Sequence, residues 1–258
     1  MRIWLKHGEA EKIMTLDGKY RSRARVFLGL GAIIMTCGLT ACGGGTGFGP
    51  GAIQKREDKL RDELPLVWSL YNAADFQGAI DSFTNTLQEA DALVEIEIGV
   101  RNQVKAEAQD GIGWSFIQLQ DLSAAAQAFS IATQLDRTNS DAWVGRAGVA
   151  LALGQYADVL SYTNIALETD AYYNSATRID AAGRILGHDS VDERHVRLML
   201  AEAYFHLGRY SAVDRADPNN AAAQVQLVNR DYRFQDPGQL LERISELSLE
   251  LQDTVSAG

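Results

Sequence analysis

From Leu60 to Leu251 the apolar positions recur at intervals of three and four residues, and short polar turns interrupt them. That period belongs to amphipathic helices, and strand alternation is nowhere sustained. The chain holds only four prolines, and alanine, leucine and glutamine crowd this stretch, so it reads as a series of helices. Two adjacent windows also match each other at a spacing of 34 residues. The first runs Gly113, Phe116, Gln120-Asp121-Leu122, Ala125, Phe129, Ala132, Leu135-Asp136, and the second runs Trp143, Ala147, Gly154-Gln155-Tyr156, Val159, Ala166-Leu167, Asp170. Small residues at Ala125 and Ala132 predict close helix crossings, and Phe129 is the side chain expected to fill the neighbouring groove.

Weaker copies flank this pair. Upstream lie Trp68, Tyr71, Asp75-Phe76, Ala79 and Phe83; downstream lie Leu200-Ala201, Tyr204 and Gly208-Arg209-Tyr210. Equivalent turn positions, Phe76, Leu122, Tyr156 and Tyr210, are 46, 34 and 54 residues apart, so extra segments of 12 and 20 residues are expected near 94–105 and 174–193. The order of small, large and acidic residues resembles the tetratricopeptide repeat. That resemblance implies an all-α fold, a short right-handed superhelical array of helix-turn-helix hairpins at about 60–93, 106–139, 140–173 and 194–220. The chain departs from the family at Arg137 and Ala171, where proline is usual, and at Arg146, where leucine is. Asp217-Pro218-Asn219-Asn220 falls early for an inter-repeat turn and predicts a shortened second helix in the last hairpin. Asp236 and Pro237 begin a closing helix with Leu240, Leu241, Ile244, Leu247 and Leu251 on or near one face.

The N-terminus follows another logic. A basic cluster, Arg21, Arg23 and Arg25, precedes an apolar run from Val26 to Gly38 and then Leu39-Thr40-Ala41-Cys42. This is the order of a secretory signal, and the run is too short and glycine-broken to span a bilayer. The tetrapeptide resembles the lipobox of bacterial lipoproteins, which implies cleavage before Cys42 and acylation of its thiol. Residues 1–41 then form the signal, 42–59 a glycine-rich tether and 60–258 the repeat domain. The polar stretch before Arg21 points to Met14 as the translational start. In Gram-negative lipoproteins an aspartate directly after the cysteine favours inner-membrane retention, so with Gly43 in that place the resemblance implies the outer membrane.

Charge and candidate chemistry narrow the function. The net charge is −10, but residues 1–41 carry seven basic and three acidic side chains, leaving −14 for the remainder. An acidic body argues against nucleic acid and against a basic membrane-binding face. Cys37 and Cys42 are the two cysteines, one lost with the signal and one consumed by lipid, so neither a disulfide nor thiol chemistry is expected. His188, Asp189, Asp192, Glu193 and His195 form a potential ligand cluster, but two histidines at i and i+7 of one helix stand roughly 10 Å apart. Asp189 is expected to begin a helix there, with Asp192 and Glu193 in its first turn. Neither catalytic motif nor cofactor fingerprint is present, so the chain is expected to be no enzyme and to hold no metal or cofactor.

The resemblance implies a concave face lined by the first helix of each hairpin, binding envelope proteins or peptides. Its groove positions fall on Arg61, Leu64, Trp68, Tyr71 and Asn72; on Glu107, Asp110, Trp114, Ile117 and Gln118; and on Asp141, Val144, Gly148, Leu151 and Ala152. The last hairpin supplies His195, Leu198, Glu202, Phe205 and His206. Trp68 and Trp114 share one repeat position and are the expected anchors. The alternative is that a segment of the chain itself covers them. A different class of function, a small-molecule-binding lipoprotein serving a transporter, calls instead for a closed apolar pocket.

Overall fold

A computed structural model describes residues 50–180, 183–188, 191–212 and 217–256. The leader, the cleavage site and Cys42 lie outside the described residues. Nine α-helices account for most of the described chain: α1 (Pro50–Asn72), α2 (Phe76–Ala92), α3 (Ile98–Gln118), α4 (Leu122–Leu135), α5 (Ser140–Ala152), α6 (Tyr156–Thr169), α7 (Glu193–His206), α8 (Ala221–Val228) and α9 (Pro237–Ser256). Among these residues there is no β-strand, only two isolated bridges. The fold is all-α.

Four hairpins, α1–α2, α3–α4, α5–α6 and α7–α8, follow one another, and each helix packs on the next. The first three of them close with the same short turn, and the fourth shares its opening half. One residue, Ala74, Gln120, Gly154 or Gly208, adopts a left-handed conformation two positions before the expected turn residue. In each case its N–H and that of its successor donate back to the preceding helix: Gln120 to Ile117 and Asp121 to Phe116, or Gly208 to Phe205 and Arg209 to Tyr204. These bonds satisfy carbonyls that a helix end otherwise leaves open. Asp75 and Asp121 then cap the second helices through Gly78 N and Ala124 N.

The hairpins pack through aromatic rings set against glycine. Phe83 lies where a Cβ on Gly111 would fall, and Phe129 fits between Gly113 and Gly145. Arg146, in place of the expected leucine, lays its guanidinium over Tyr162 and Trp143 and donates to Thr133 and Tyr162. One core runs from α1 to α7. A second joins α7, α8 and α9 through Leu198, Leu200, Tyr204, Val225, Leu240 and Ile244. Among the described residues no helix is long and apolar enough to cross a membrane.

Several expected boundaries shift. Helix α1 begins at Pro50, so residues 50–59 are helical and not tether. The first extra segment is mostly absorbed into a 21-residue α3 that starts at Ile98. The last hairpin extends past residue 220: Asp217 to Asn220 lead into α8, with Asn220 as its cap, because their side chains bond the turn and the next helix. Helix α7 starts at Glu193 with Asp192 as its cap, whereas Asp189 lies outside the described residues. In the closing helix Leu241 is partly exposed while Leu240, Ile244, Leu247 and Leu251 are buried.

Candidate functional site

The second extra segment, from Asn174 to Asp192, leaves α6, forms a single 3₁₀ turn at Ser175–Thr177 and returns to α7. Its two legs touch through the bridges Asn174–Asp192 and Ile179–Ile185. Its described residues reach α1, α3 and α5 through Arg184, Arg178 and His188, and they also bind one another, as Arg184 does Asp180.

The groove positions on these helices are already linked from repeat to repeat. Trp68 Nε1 donates to Glu107 Oε1 at 2.8 Å, and Trp114 Nε1 donates to Asp141 Oδ2 at 3.0 Å. Each tryptophan thus satisfies its buried N–H on an acid that opens the next repeat. Gln118 donates to the Tyr71 hydroxyl in the same manner. Into this frame the insert brings Arg178, whose Nη1 is 2.8 Å from Asp141 Oδ2 and whose Nη2 is 2.7 Å from Glu107 Oε2 and 3.5 Å from Asp110 Oδ2. The His188 ring stacks on Trp68 with centroids 4.4 Å apart, and its Nε2 lies 2.7 Å from Asp141 Oδ2. The buried Tyr173 hydroxyl donates to Asp141 Oδ1. Asp141 is therefore the hub, meeting one group from α3 and three from the residues following α6.

The two aspartates are driven apart in proton affinity. Burial, reinforced by the charge of Asp141 and only partly countered by Arg178, holds the Asp110 carboxyl well above the usual carboxylate range. For Asp141 burial acts in the same direction, but Arg178 and His188 outweigh it and hold it well below that range. Asp110 Oδ1 meets no donor among the described residues, and Asp110 faces Asp141 as a hydrogen-bonding neighbour. One protonated and one ionised carboxyl side by side leave Glu107 and Asp141 to balance Arg178. Burial followed by the charge of Asp141 raises the Tyr173 hydroxyl well above its ordinary value, so it stays a donor.

The expectation of an open aromatic groove does not hold at its centre. Trp68 and Trp114 are 1% and 2% exposed, covered by Arg178 and His188, and Tyr71, Asp141, Ile117 and Leu151 are buried with them. The chain fills this part of its own groove, where Arg178 balances the ionised Glu107 and Asp141. At the far end Phe205 is half-buried and His206 exposed, with His206 stacked on Tyr156. His195 caps α7 with Asp192, so the two histidines serve different elements. Among the described residues no group of three or more such side chains could hold a metal ion. Arg178, His188 and Tyr173 were not assigned to the groove by sequence. Their segment has no repeat register, and the remaining signal was the excess of acids at Glu107, Asp110 and Asp141.

Beside the insert the inner side stays open as a cavity of about 440 Å³. Helices α1 and α3, the turns after α4 and α6, and the insert form its walls, and polar side chains predominate there. Tyr172, 88% exposed, stands at its edge. No family model matches this chain. No curated protein matches it either.

Proposed function

We propose that this chain is a lipid-anchored adaptor of the bacterial cell envelope, with tetratricopeptide-like repeats that hold a partner protein or peptide. The observation that carries the reading is the recurring hairpin closure together with the packing of α1 on α3, α3 on α5 and α5 on α7. First helices that pack on one another in sequence create one continuous inner side, which is how a tetratricopeptide superhelix offers its concave face. Cys42 after the basic and apolar leader supplies the anchor, and Gly43 favours the outer membrane. The insert covers the middle of the inner side, so partner contact is assigned to the open cavity beside it and to the exposed far end near His206.

The cavity is open to solvent and polar, unlike the closed apolar pocket that a transporter-serving small-molecule binder would need. A photocrosslinking residue at Tyr172, with Leu249 on α9 as the control position, tests the adaptor reading in native membranes. A discrete polypeptide adduct from position 172, absent from position 249, is expected. Equal labelling from both positions, or none from 172, would overturn it.

A further inference from the structure

We propose that the insert offers its cavity-side edge to an extended segment of the partner polypeptide, which adds as one more strand beside Ile179. This rests on the adaptor reading and adds the form in which the partner is held. The two legs of the insert pair through Asp180 N on the Arg184 carbonyl and Leu186 N on the Arg178 carbonyl, both at 2.9 Å. These bonds flank the Ile179–Ile185 bridge, so the two isoleucines face each other as a non-hydrogen-bonded pair. Their own N–H and C=O groups therefore point away from each other, out of the ribbon. The leg 177–180 borders the cavity, while the other leg is tied to α1 by Arg184 on Asp62 and by Asn72 on the Gly187 carbonyl. The outward groups of Ile179 thus face the cavity, and neither bonds to another residue of the protein.

An edge residue with donor and acceptor both open is a template for main chain, because a residue set opposite exchanges both bonds with it. Side-chain amides in the lining fit the same ligand. Gln103 Oε1 accepts from Arg61 at 3.2 Å and Asn174 Oδ1 accepts from Ala176 N at 3.0 Å, which leaves Nε2 and Nδ2 to the carbonyls of an incoming chain. Ile179 is 63% exposed, and its branched side chain would pack against a similar one on the added strand. Glu107, Asp136, Asp170 and Asp180 outnumber Arg61 and Arg178 in the lining, so charge complementarity selects a segment without acids.

The probe is a heptapeptide blocked at both ends, Lys-Thr-Val-Thr-Val-Thr-Lys, titrated against the detergent-solubilised full chain with amide exchange followed by NMR. Saturable binding should slow exchange of the Ile179 amide roughly tenfold or more and leave that of Ile185, on the far edge, unchanged. Ile179→Pro deletes the outward N–H while sparing both bonds between the legs, and it should weaken the peptide roughly tenfold or more, whereas Ile179→Thr should not. Persistent protection of the Leu186 amide in the proline variant would verify that the legs still pair. If they come apart, the same peptide methylated at its central amide nitrogens decides instead, and it should fail to bind the unaltered chain. Absence of binding, unchanged exchange at Ile179, undiminished binding to a paired Ile179→Pro chain or equal binding of the methylated peptide would overturn the proposal. A Tyr172 crosslink in native membranes without protection at Ile179 would leave the adaptor reading standing and overturn this inference alone.

Discussion

At the scale of single residues, backbone handedness gives the most direct test of the repeat. Ala74 and Gln120 carry a side chain in the left-handed region, where two other hairpins use glycine. The Cβ penalty there is about 1–2 kcal/mol, and glycine's extra chain entropy returns about half of it. Gln120→Gly should therefore raise stability by about 0.5–1 kcal/mol, and Gly154→Ala should lower it by a similar amount, read from urea midpoints. Opposite signs for the two are the expectation; a loss in both would show that the turn conformation differs. The buried aspartates separate by pH instead. A carboxyl held above its unfolded value, as Asp110 is, contributes stability that is complete below the ordinary carboxylate range and is lost as pH rises through its folded value. Asp141 has the reverse sign, contributing above that range and losing it in acid. Asp110→Asn should flatten the decline of stability on the alkaline side. Asp141→Asn should cost about 3 kcal/mol at neutral pH, because it strips a buried cation of its main partner. Chemical unfolding between pH 4 and 9 distinguishes the two variants, and identical profiles would refute the assignment of the proton to Asp110.

At the scale of elements, the hairpins were legible because their period, small crossing residues and turn acids are local. Phe129 was expected to fill a groove, and it lies against Gly113, Gly145 and the edge of Trp114. Phe129→Ala should cost about 3–5 kcal/mol in equilibrium unfolding. A loss under about 1 kcal/mol would contradict the burial of its ring. The insert was legible only as surplus length. Its position comes from long-range ties that have no sequence period: Arg178 to Glu107, Arg184 to Asp62 at 2.5 Å, and Asn72 to the Gly187 carbonyl at 3.0 Å. Trp68, Glu107, Trp114 and Asp141 do lie together, but the side chains that cover them, Arg178 and His188, were not foreseen, because an irregular segment is placed by its partners. The boundary at α8 was misread for a related reason. Asp-Pro-Asn-Asn can end one helix or begin another, and Asn220 bonded to Ala223 N decides for the second.

At the scale of the whole molecule, the described body divides energetically where its two cores meet at α7. Of that helix, Val196, Met199 and Ala203 belong to the long core, and Leu198, Leu200 and Tyr204 belong to the core shared with α8 and α9. In a linear array each unit is stabilised chiefly by its neighbours, so loss at one end is felt most by the adjoining hairpin. Helix α8 has only eight residues and cannot hold that end alone, because so short a helix is marginal without packing. Helix α9 supplies the missing surface through Leu240, Ile244, Leu247 and Leu251. Ending the chain after Gln235 should therefore abolish slow hydrogen exchange in α7 and α8, while α3 to α5, tied by Arg178 and His188, keep theirs. The measurement is residue-resolved exchange on the full chain and on the shortened one. Uniform loss of protection from α1 to α8 would mean that the two cores unfold as one unit, and unchanged protection in α8 would mean that α9 does not close the array.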